Sequence, residues 1–230
     1  MERPDGIIVA IDGPAGSGKS STAKAVAAEL GYRHLDSGAF YRGLTLAALR
    51  AGLPPERWDQ LTARTLAGLG VEGVPAASGY EIRLHGAQVA GELRSPEVNA
   101  RVSLMAAVPA VRAWLLGALR QAGERGGLVA DGRDIGTVVF PDAELKVFLV
   151  CSTSERARRR LLESMDGTPT PGQIREEAER LTQRDALDSS RSVAPLLRAA
   201  DAVLLDTSEL EFGAQVRFIV RLAREREANT

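Results

Sequence analysis

The chain has 230 residues, a net charge of −1, 44% hydrophobic and 26% charged residues, which is typical of a globular protein with a core of its own. It has no overall basic field, so we expect no nucleic-acid polymer as a partner, and two histidines with the single Cys151 exclude an intramolecular disulfide and a zinc cluster. No apolar run is as long as a membrane span and residues 1–5 are too short and polar for a signal peptide, so we expect a cytoplasmic protein without a membrane partner.

The first predicted elements are a strand at residues 7–11 (IIVAI) and an alanine-rich helix at 22–30, joined by a glycine-rich loop. Residues 13–21 (GPAGSGKSS) fit the pattern G-x-x-x-x-G-K-[ST]. Between a strand and a helix this pattern indicates a phosphate-binding loop, or P-loop. The residues expected to bind the triphosphate are Gly13, Pro14, Ala15, Gly16, Ser17, Gly18, Lys19, Ser20 and Ser21.

The residue types of this loop suit a polyphosphate. The glycines let backbone N–H groups approach phosphate oxygens, and the helix N-terminus adds a partial positive charge. Lys19 can reach the β and γ phosphates, and the Ser20 hydroxyl can coordinate Mg²⁺. The loop therefore predicts that the chain binds a nucleoside triphosphate with Mg²⁺.

The segments between this loop and residue 95 include a less regular region. A strand is predicted at residues 33–36 and helices at 39–51 and 59–69. Residues 80–85 alternate and could pair with 88–90 as a hairpin, which predicts a small antiparallel patch inserted between helices. His34 and His85 have no partners in the sequence, so we interpret both as structural or surface residues.

The second half of the chain alternates between helices and short apolar strands. A helix is predicted from residue 96 to 122 with an interruption near Pro109. The later segments are strands at 128–130, 145–150 and 202–206 and helices at 154–164, 174–186 and 212–227. Five such strands separated by helices predict an α/β fold with a parallel sheet covered on both faces. Polar residues that follow the strands should then meet at one edge of the sheet, where ligands bind.

A P-loop alone is compatible with a kinase, a GTPase, a motor or a transporter ATPase. The guanine-reading pattern N-K-x-D does not occur in the sequence, and large mechanochemical ATPases need a longer chain. Several arginines follow the predicted strands. Guanidinium groups can neutralise and clamp two polyanions, so this arrangement favours a kinase with a small anionic acceptor.

Four motifs identify a family resemblance. They are residues 11–19 (IDGPAGSGK), 35–42 (LDSGAFYR), 130–143 (ADGRDIGTVVFPDA) and 184–196 (RDALDSSRSVAPL). Together they resemble the bacterial cytidylate kinases (CMP kinases) of the nucleoside monophosphate kinase family, along nearly the whole chain. The first motif is shared by all P-loop proteins, whereas the other three in this order are specific.

The resemblance implies a P-loop kinase fold with a five-stranded parallel sheet of order 2-3-1-4-5, an antiparallel insert and a mobile lid. The implied parts are core at 1–36, 126–155 and 191–230, a monophosphate-binding part at 37–125 with the β insert near 70–95, and the lid at 156–190. The implied reaction is phosphoryl transfer from ATP to CMP or dCMP with Mg²⁺, in line and without a phosphoenzyme. We expect a monomer.

The resemblance also implies residues for the acceptor nucleotide. The phosphate would be bound by arginines, helped by smaller donors, and the sugar by a further pair. The residues implied at the phosphate are Arg42, Arg133 and Arg191, with Ser37 and Tyr41 as further donors, the sugar pair is Arg184 and Asp188, and Gly132 is a further CMP-binding residue. Planar guanidinium forks suit such contacts.

The implied base-reading residues are Ser103, Arg112 and Asp134. Cytosine has an amino donor at N4 and acceptors at N3 and O2, so a carboxylate can accept from N4 while an arginine donates to N3 or O2. Uracil reverses two of these groups, and buried mispairings of that kind disfavour a substrate.

Three arginines of the predicted lid helix, Arg156, Arg159 and Arg160, are spaced so that they share one face. They could stabilise the transferring phosphoryl group, or they could form a solvated basic face. The catalytic candidates are Lys19, Arg133, Arg191, Arg156 and Arg160. Asp131 ends a strand, where it could lie near Mg²⁺ or orient its own loop.

Two other functions remain open from the sequence. One is another small P-loop kinase, acting on UMP, AMP or shikimate. The other is a non-catalytic nucleotide-binding regulator, which the intact Lys19, Ser20 and arginine set disfavours.

Overall fold

The computed structural model describes residues 3–77, 79–165 and 167–229. Residues 1, 2, 78, 166 and 230, which belong to the predicted core, insert and lid segments, lie outside the described residues. The described chain forms a mixed sheet with helices on both faces. Its strands are β1 (Ile8–Asp12), β2 (Arg33–Asp36), β3 (Val71–Ala76), β4 (Gly79–Leu84), β5 (Ala87–Gln88), β6 (Leu128–Gly132), β7 (Leu145–Val150) and β8 (Val203–Asp206).

The strands follow one another in the order β3-β4-β2-β6-β1-β7-β8, and β5 pairs with β4. The strands β2, β6, β1, β7 and β8 are parallel to their neighbours in this order. In the described part of the chain the sheet therefore has more strands than the five expected, because the antiparallel patch joins it at the β2 edge.

The helices cover both faces of the sheet. They are α1 (Lys19–Leu30), α2 (Ser37–Arg50), α3 (Ala63–Gly68), α4 (Pro96–Ala107), α5 (Pro109–Ala122), α6 (Thr153–Ser164), α7 (Pro171–Ser189) and α8 (Phe212–Glu227). Strand β1 is buried throughout, and its side chains alternate between two cores. Ile8 and Ala10 pack in the core that includes residues of α2, α4 and α5, whereas Val9 and Ile11 pack in the core that includes residues of α1 and α8. A continuous apolar run is the pattern of a strand buried on both faces.

The parallel register brings the polar residues that end the strands to one edge. Asp12 at the end of β1 lies beside Gly132 of β6, and Asp131 lies beside Asp36 of β2. The phosphate loop follows β1 at the same edge. The expected convergence of these motifs is therefore observed.

The antiparallel patch is larger than its pattern suggested. Residues 71–76, whose Gly and Pro content gave no strand signal, form β3 and pair with β4 over its whole length. The return strand β5 has only two residues, Ala87–Gln88. The patch is continuous with the main sheet, because Gly79 of β4 pairs with His34 of β2 in parallel.

Several predicted helix boundaries were wrong. The helix expected at 59–69 is a short 3₁₀ helix, Pro55–Gln60, followed by α3, because the Thr62 side chain accepts a hydrogen bond from the Thr65 N–H and starts a new helix. Helix α1 begins at Lys19 rather than at residue 22. Helix α7 begins at Pro171 rather than at 174, since Thr170 and Gln173 form a capping box.

The predicted interruption near Pro109 is present, since Val108 separates α4 from α5. Proline has no N–H and fixes φ, so it ends one helix and can begin the next. Within the ranges that the structure describes, no single helix has the length and apolar content of a membrane span; α4 and α5 reach those values only as a pair, bent by 93°.

Candidate active site

The phosphate loop forms a tight turn against the end of β7 and the start of α1. Gly16 and Gly18 have φ values of 73° and 85°, which favour glycine, and a side chain on Gly13 would overlap the Leu149 carbonyl oxygen. Gly18 is the N-cap of α1, so the first amides of that helix point toward the loop. Ser17 is fully buried, and Ser21 is exposed on α1.

Lys19 folds back over this loop. Its Nζ atom donates to the Pro14 carbonyl oxygen at 2.6 Å, and the residue is only 6% exposed. Burial, and then the nearby positive charge of Arg133, hold the pKa of Lys19 well below its ordinary value. Because burial and a neighbouring positive charge destabilise its ammonium group, Lys19 favours the binding of an anion beside it.

Ser20, Asp131 and His34 form a chain of hydrogen bonds at the start of α1. The Ser20 hydroxyl donates to Asp131 Oδ2 at 2.6 Å, and His34 Nε2 lies 2.7 Å from Asp131 Oδ1. Asp131 is 2% exposed. A hydroxyl and a carboxylate at this distance fit Mg²⁺, which in nucleotide sites takes one or two protein oxygens and the phosphates.

Asp12 anchors the segment that carries Arg133 and Asp134. Its carboxylate accepts from the backbone N–H groups of Ile135 at 2.9 Å and Gly136 at 2.7 Å. These two amides open a turn of π-helix, Ile135–Val139. Burial raises the pKa of Asp12 to about 6, although the two amides oppose that rise.

The acceptor-phosphate candidates surround Asp188. Its carboxylate accepts from Ser103 at 3.2 Å and from Arg133 at 2.8 Å, and it pairs with Arg191. Burial alone would raise the pKa of Asp188, but the charges of Arg133 and Arg191 outweigh burial and hold it below its ordinary value. Asp188 thus holds two of the predicted arginines side by side.

Arg42 and Arg184 face the same cluster, and neither forms a salt bridge with a carboxylate within the part of the chain that the structure describes. The Nε atom of each is buried and has no hydrogen-bond partner among the described residues. Burial, and then neighbouring charges, lower the pKa of Arg184 to about 9; burial lowers the pKa of Arg42 to about 10. Arg133 contributes to both shifts, so the cluster has unbalanced positive charge that suits an anion.

The base-reading candidates form a buried pair next to this cluster. Arg112 pairs with Asp134, and the side chain of each is 6% exposed. Arg112 also donates to the Ala106 carbonyl at 3.0 Å, and its guanidinium lies 5.4 Å from the centre of the Tyr41 ring. Ser103 contacts Asp188 rather than this pair.

Ser37, one of the smaller donors expected at the acceptor phosphate, contacts a protein group in this structure. The Ser37 hydroxyl donates to the Asp131 carbonyl at 2.8 Å. A side chain on Gly132 would meet that hydroxyl, so Gly132 leaves the space in which Ser37 sits. Both residues lie where β6 and α2 meet the edge of the sheet.

The three arginines predicted to share one face of α6 contact three different parts of the protein. Arg156 donates to the Ala15 carbonyl at 2.8 Å and pairs with Asp185. Arg159 donates to the Thr207 carbonyl at 2.6 Å, and Arg160 pairs with Glu177 at 3.0 Å. Each long side chain finds its partner on another element, which helical spacing does not reveal.

Three site residues were missed from the sequence. Asp12 is the last residue of β1 and His34 lies two positions before Asp36, so their places next to predicted motifs were a usable signal. Asp185 lies inside a quoted motif, and its Oδ1 accepts from the Ala15 N–H at 2.9 Å. The partners of all three are distant in sequence.

Comparison with known proteins gives one family. A family model described as cytidylate kinase matches residues 9–225. The bifunctional pantoate ligase/cytidylate kinase of Synechococcus elongatus is 46% identical over 225 residues, which are 95% of this chain and 42% of that protein. The cytidylate kinase of Limosilactobacillus fermentum is 45% identical over 205 residues, or 89% and 90% of the two chains. The chain thus spans less than half the length of its bifunctional relative.

Among solved structures, an uncharacterized protein from Eubacterium ventriosum superposes with a TM-score of 0.53. The sequence identity is 11%, and the match covers 95% of this chain and 98% of the other. This likeness concerns the fold alone.

Proposed function

This chain belongs to the cytidylate kinase family, and we propose that it transfers the γ-phosphoryl group of ATP to CMP and dCMP, giving CDP and dCDP. The observation that carries the proposal is the buried Arg112–Asp134 pair beside an arginine cluster at the P-loop edge. Those groups match the two ends of a cytidine monophosphate.

The donor is assigned to the phosphate loop. Its amides and Lys19 would hold the β and γ phosphates, where the low pKa of Lys19 returns toward its ordinary value beside an anion. Ser20 would coordinate Mg²⁺ directly and Asp131 indirectly, and Ser20 already donates to Asp131. When bound, Mg²⁺ neutralises negative charge on the β and γ phosphates.

The acceptor phosphate is assigned to Arg42, Arg133 and Arg191. Asp188 holds the latter two, and Arg42 has an unpartnered Nε atom. Arg184 and Asp188 would contact the sugar hydroxyls. Guanidinium groups that are positioned before the substrate binds lose little freedom when they clamp its oxygens.

The base is assigned to Arg112 and Asp134. Arg112 and Asp134 lie next to each other in a buried position, and this supports the assignment because cytosine needs a donor to N3 or O2 and an acceptor from N4. Uracil would leave the carboxylate facing a carbonyl and the arginine facing an N–H, which costs several kcal/mol in a buried site.

The chemistry assigned to these residues is alignment and charge neutralisation. The acceptor phosphate oxygen is already anionic at neutral pH, so transfer needs no strong general base. Arg133, Arg191, Arg156 and Arg160 would neutralise charge on the transferring group, and closure of the lid at 156–190 would exclude water. We extend the proposal to a monomer that acts on free nucleotides in the cytoplasm.

The testing experiment is ADP formation with ATP, Mg²⁺ and a panel of CMP, dCMP, UMP and AMP. We expect kcat/KM for CMP and dCMP to exceed that for UMP by about 100-fold or more, a gap of about 3 kcal/mol. Equal use of UMP would contradict the cytosine assignment but not the kinase assignment. No turnover of any monophosphate would favour a shikimate-type acceptor or a non-catalytic regulator.

A variant sharpens this test. Arg112→Met should lower kcat/KM for CMP by about 10- to 100-fold, because a charged hydrogen bond to the base contributes about 1.5–3 kcal/mol. The KM for ATP should not change. Arg101→Met, which removes an exposed arginine of α4, is the matched control and should leave both constants as they are. Melting curves of both variants verify that they are folded.

A further inference from the structure

Helix α7 contacts both candidate nucleotide sites through residues that follow one another along one face of the helix. Leu181 and Asp185, one turn apart, face the phosphate loop, where Leu181 packs against Ala15. Asp188 lies one turn beyond Arg184, and it holds Ser103, Arg133 and Arg191 in the acceptor cluster. One rigid helix therefore carries the contacts of both sites.

The side chains of Asp185 and Arg156 form hydrogen bonds with both backbone polar groups of Ala15, its N–H and its carbonyl oxygen. Asp185 Oδ1 accepts from the Ala15 N–H at 2.9 Å, and Arg156 donates to the Ala15 carbonyl at 2.8 Å. Arg156 also pairs with Asp185 Oδ2, which closes a network of three residues. Because Arg156 balances the carboxylate, the network adds no net negative charge beside the triphosphate site.

The loop also lies next to the helices α6 and α7. A Cβ atom on Gly16 would be in ordinary van der Waals contact with both, at 3.4 Å from the Arg156 Cβ atom and 3.7 Å from Leu181. Ala15, Ala157 of α6 and Leu181 of α7 form a small buried cluster of their own. Because Ala15 of the loop packs in this cluster, a displacement of α7 is expected to move the loop as well.

We propose that Asp185 is a positioning residue that couples the two nucleotide sites by tying α7 to the phosphate loop. The inference rests on the proposed function. Binding of ATP restricts the motion of the phosphate loop. Because the Asp185–Ala15 hydrogen bond joins the loop to α7, the motion of α7 is restricted as well. Less conformational entropy is then lost when CMP contacts Arg184 and Asp188. Coupling of this kind is reciprocal, so CMP must strengthen ATP binding by the same factor.

The experiment measures this coupling factor without chemistry. Calorimetry gives the Kd of CMP for the full chain with Mg²⁺, in the absence and presence of a saturating non-hydrolysable ATP analogue. We expect the analogue to tighten CMP binding by about fivefold or more in the unchanged protein. In Asp185→Ala the factor should fall to about one. Asp185→Asn keeps an acceptor for the Ala15 N–H but loses the ion pair, and should give an intermediate factor.

Glu176→Gln is the matched control, because Glu176 is an exposed carboxylate of α7 paired with Arg180. It should keep the coupling factor of the unchanged protein. A residue that only stabilised the fold would lower the melting temperature and leave the coupling factor as it was. Full coupling in Asp185→Ala, or in Asp185→Leu if the alanine variant does not fold, would overturn the proposal, since neither side chain can accept from the Ala15 N–H.

The unchanged protein separates the two proposals. If it binds and turns over CMP but shows no coupling, the inference fails and the proposed function stands. If it does not bind CMP, both fail.

Discussion

Asp12 illustrates how one buried carboxylate organises the site. Its two oxygens each accept from a backbone N–H, of Ile135 and of Gly136, and so they fix the turn that follows Arg133 and Asp134. Only 5% of the residue is exposed, and burial raises its pKa from 3.8 to about 6. The ionised form is thus more costly in the folded chain than in the unfolded chain.

This pKa predicts a pH dependence of stability. Between pH 4 and pH 6 the folded chain holds a proton on Asp12 that the unfolded chain has released, so the contribution of Asp12 is fully present below pH 4 and is lost as the pH rises through 6. Each pH unit corresponds to about 1.4 kcal/mol, so the loss is about 3 kcal/mol.

The measurement is the free energy of unfolding of the unchanged protein and of Asp12→Asn from pH 4 to pH 7. The unchanged protein should lose about 3 kcal/mol relative to the variant over this range. Altered hydrogen bonds in the variant add an offset that does not depend on pH. Parallel curves would show that Asp12 does not titrate as described.

The contact that His34 makes could not be predicted from the residues around it in the sequence. With no partner in its own segment it was interpreted as structural or surface, and the structure places its Nε2 atom against Asp131, which in turn accepts from Ser20. The position of His34 on β2 was predictable, because 33–36 was expected as a strand. Its partner was not, since β6 becomes a neighbour of β2 only in the folded sheet.

At the scale of elements, the joint between the antiparallel patch and the main sheet depends on one close approach. Gly79 of β4 pairs with His34 of β2, and a Cβ atom on Gly79 would overlap the His34 carbonyl oxygen. Val71 and Ile82 of the patch belong to the core that also contains Leu44 of α2. The pairing of Gly79 with His34 therefore determines how the antiparallel patch packs against α2.

We predict that Gly79→Ala separates β4 from β2 locally. Overlap with backbone atoms cannot be relieved by a side-chain rotation, so the free energy of unfolding should fall by about 1–3 kcal/mol. Urea unfolding measures this change. Gly91→Ala is the control, since a Cβ atom there meets nothing within 4 Å, and its effect should stay within about 0.5 kcal/mol. Equal effects of the two substitutions would contradict this account of the joint.

At the scale of the whole molecule, the net charge is only −1, but positive charge is concentrated in one cluster of arginines. The acceptor cluster holds Arg42, Arg133, Arg184 and Arg191 close to one another, with Asp188 as the carboxylate that pairs with two of them. The mutual repulsion of these cations opposes folding in the absence of a ligand. An anion bound there should stabilise the whole chain.

We therefore expect CMP to raise the melting temperature. At 100 times its Kd the stabilisation is about 2.7 kcal/mol, or roughly 5–10 °C for a chain of this size. Cytidine, which lacks the phosphate, should give a smaller rise at the same concentration. Thermal unfolding followed by circular dichroism measures both.

The variant that tests the cluster is Arg42→Ala, which removes an arginine assigned to the phosphate and should reduce the rise with CMP while leaving the rise with cytidine less affected. Arg50→Ala removes an exposed arginine of the same helix and should keep the full rise. Similar rises with CMP and cytidine in the unchanged protein would show that the cluster does not bind the phosphate.

The sequence by itself determined the strand, glycine loop and helix around Lys19, the alternation of strands and helices, and the gathering of polar motifs at one edge. These features follow from local residue patterns and from the geometry of parallel strands, so they need no knowledge of distant contacts. The motifs were also sufficient to identify the family.

Only the tertiary structure decided which groups meet. Asp12 with Ile135, His34 with Asp131 and Ala15 with Asp185 are separated by 123, 97 and 170 positions, and each contact depends on the order of strands or on the packing of α7. Arg156, Arg159 and Arg160 have different partners for the same reason, since each partner lies on a segment that only folding brings near α6. Periodicity places a residue on a face of its helix or strand, whereas the neighbouring element determines what that face contacts.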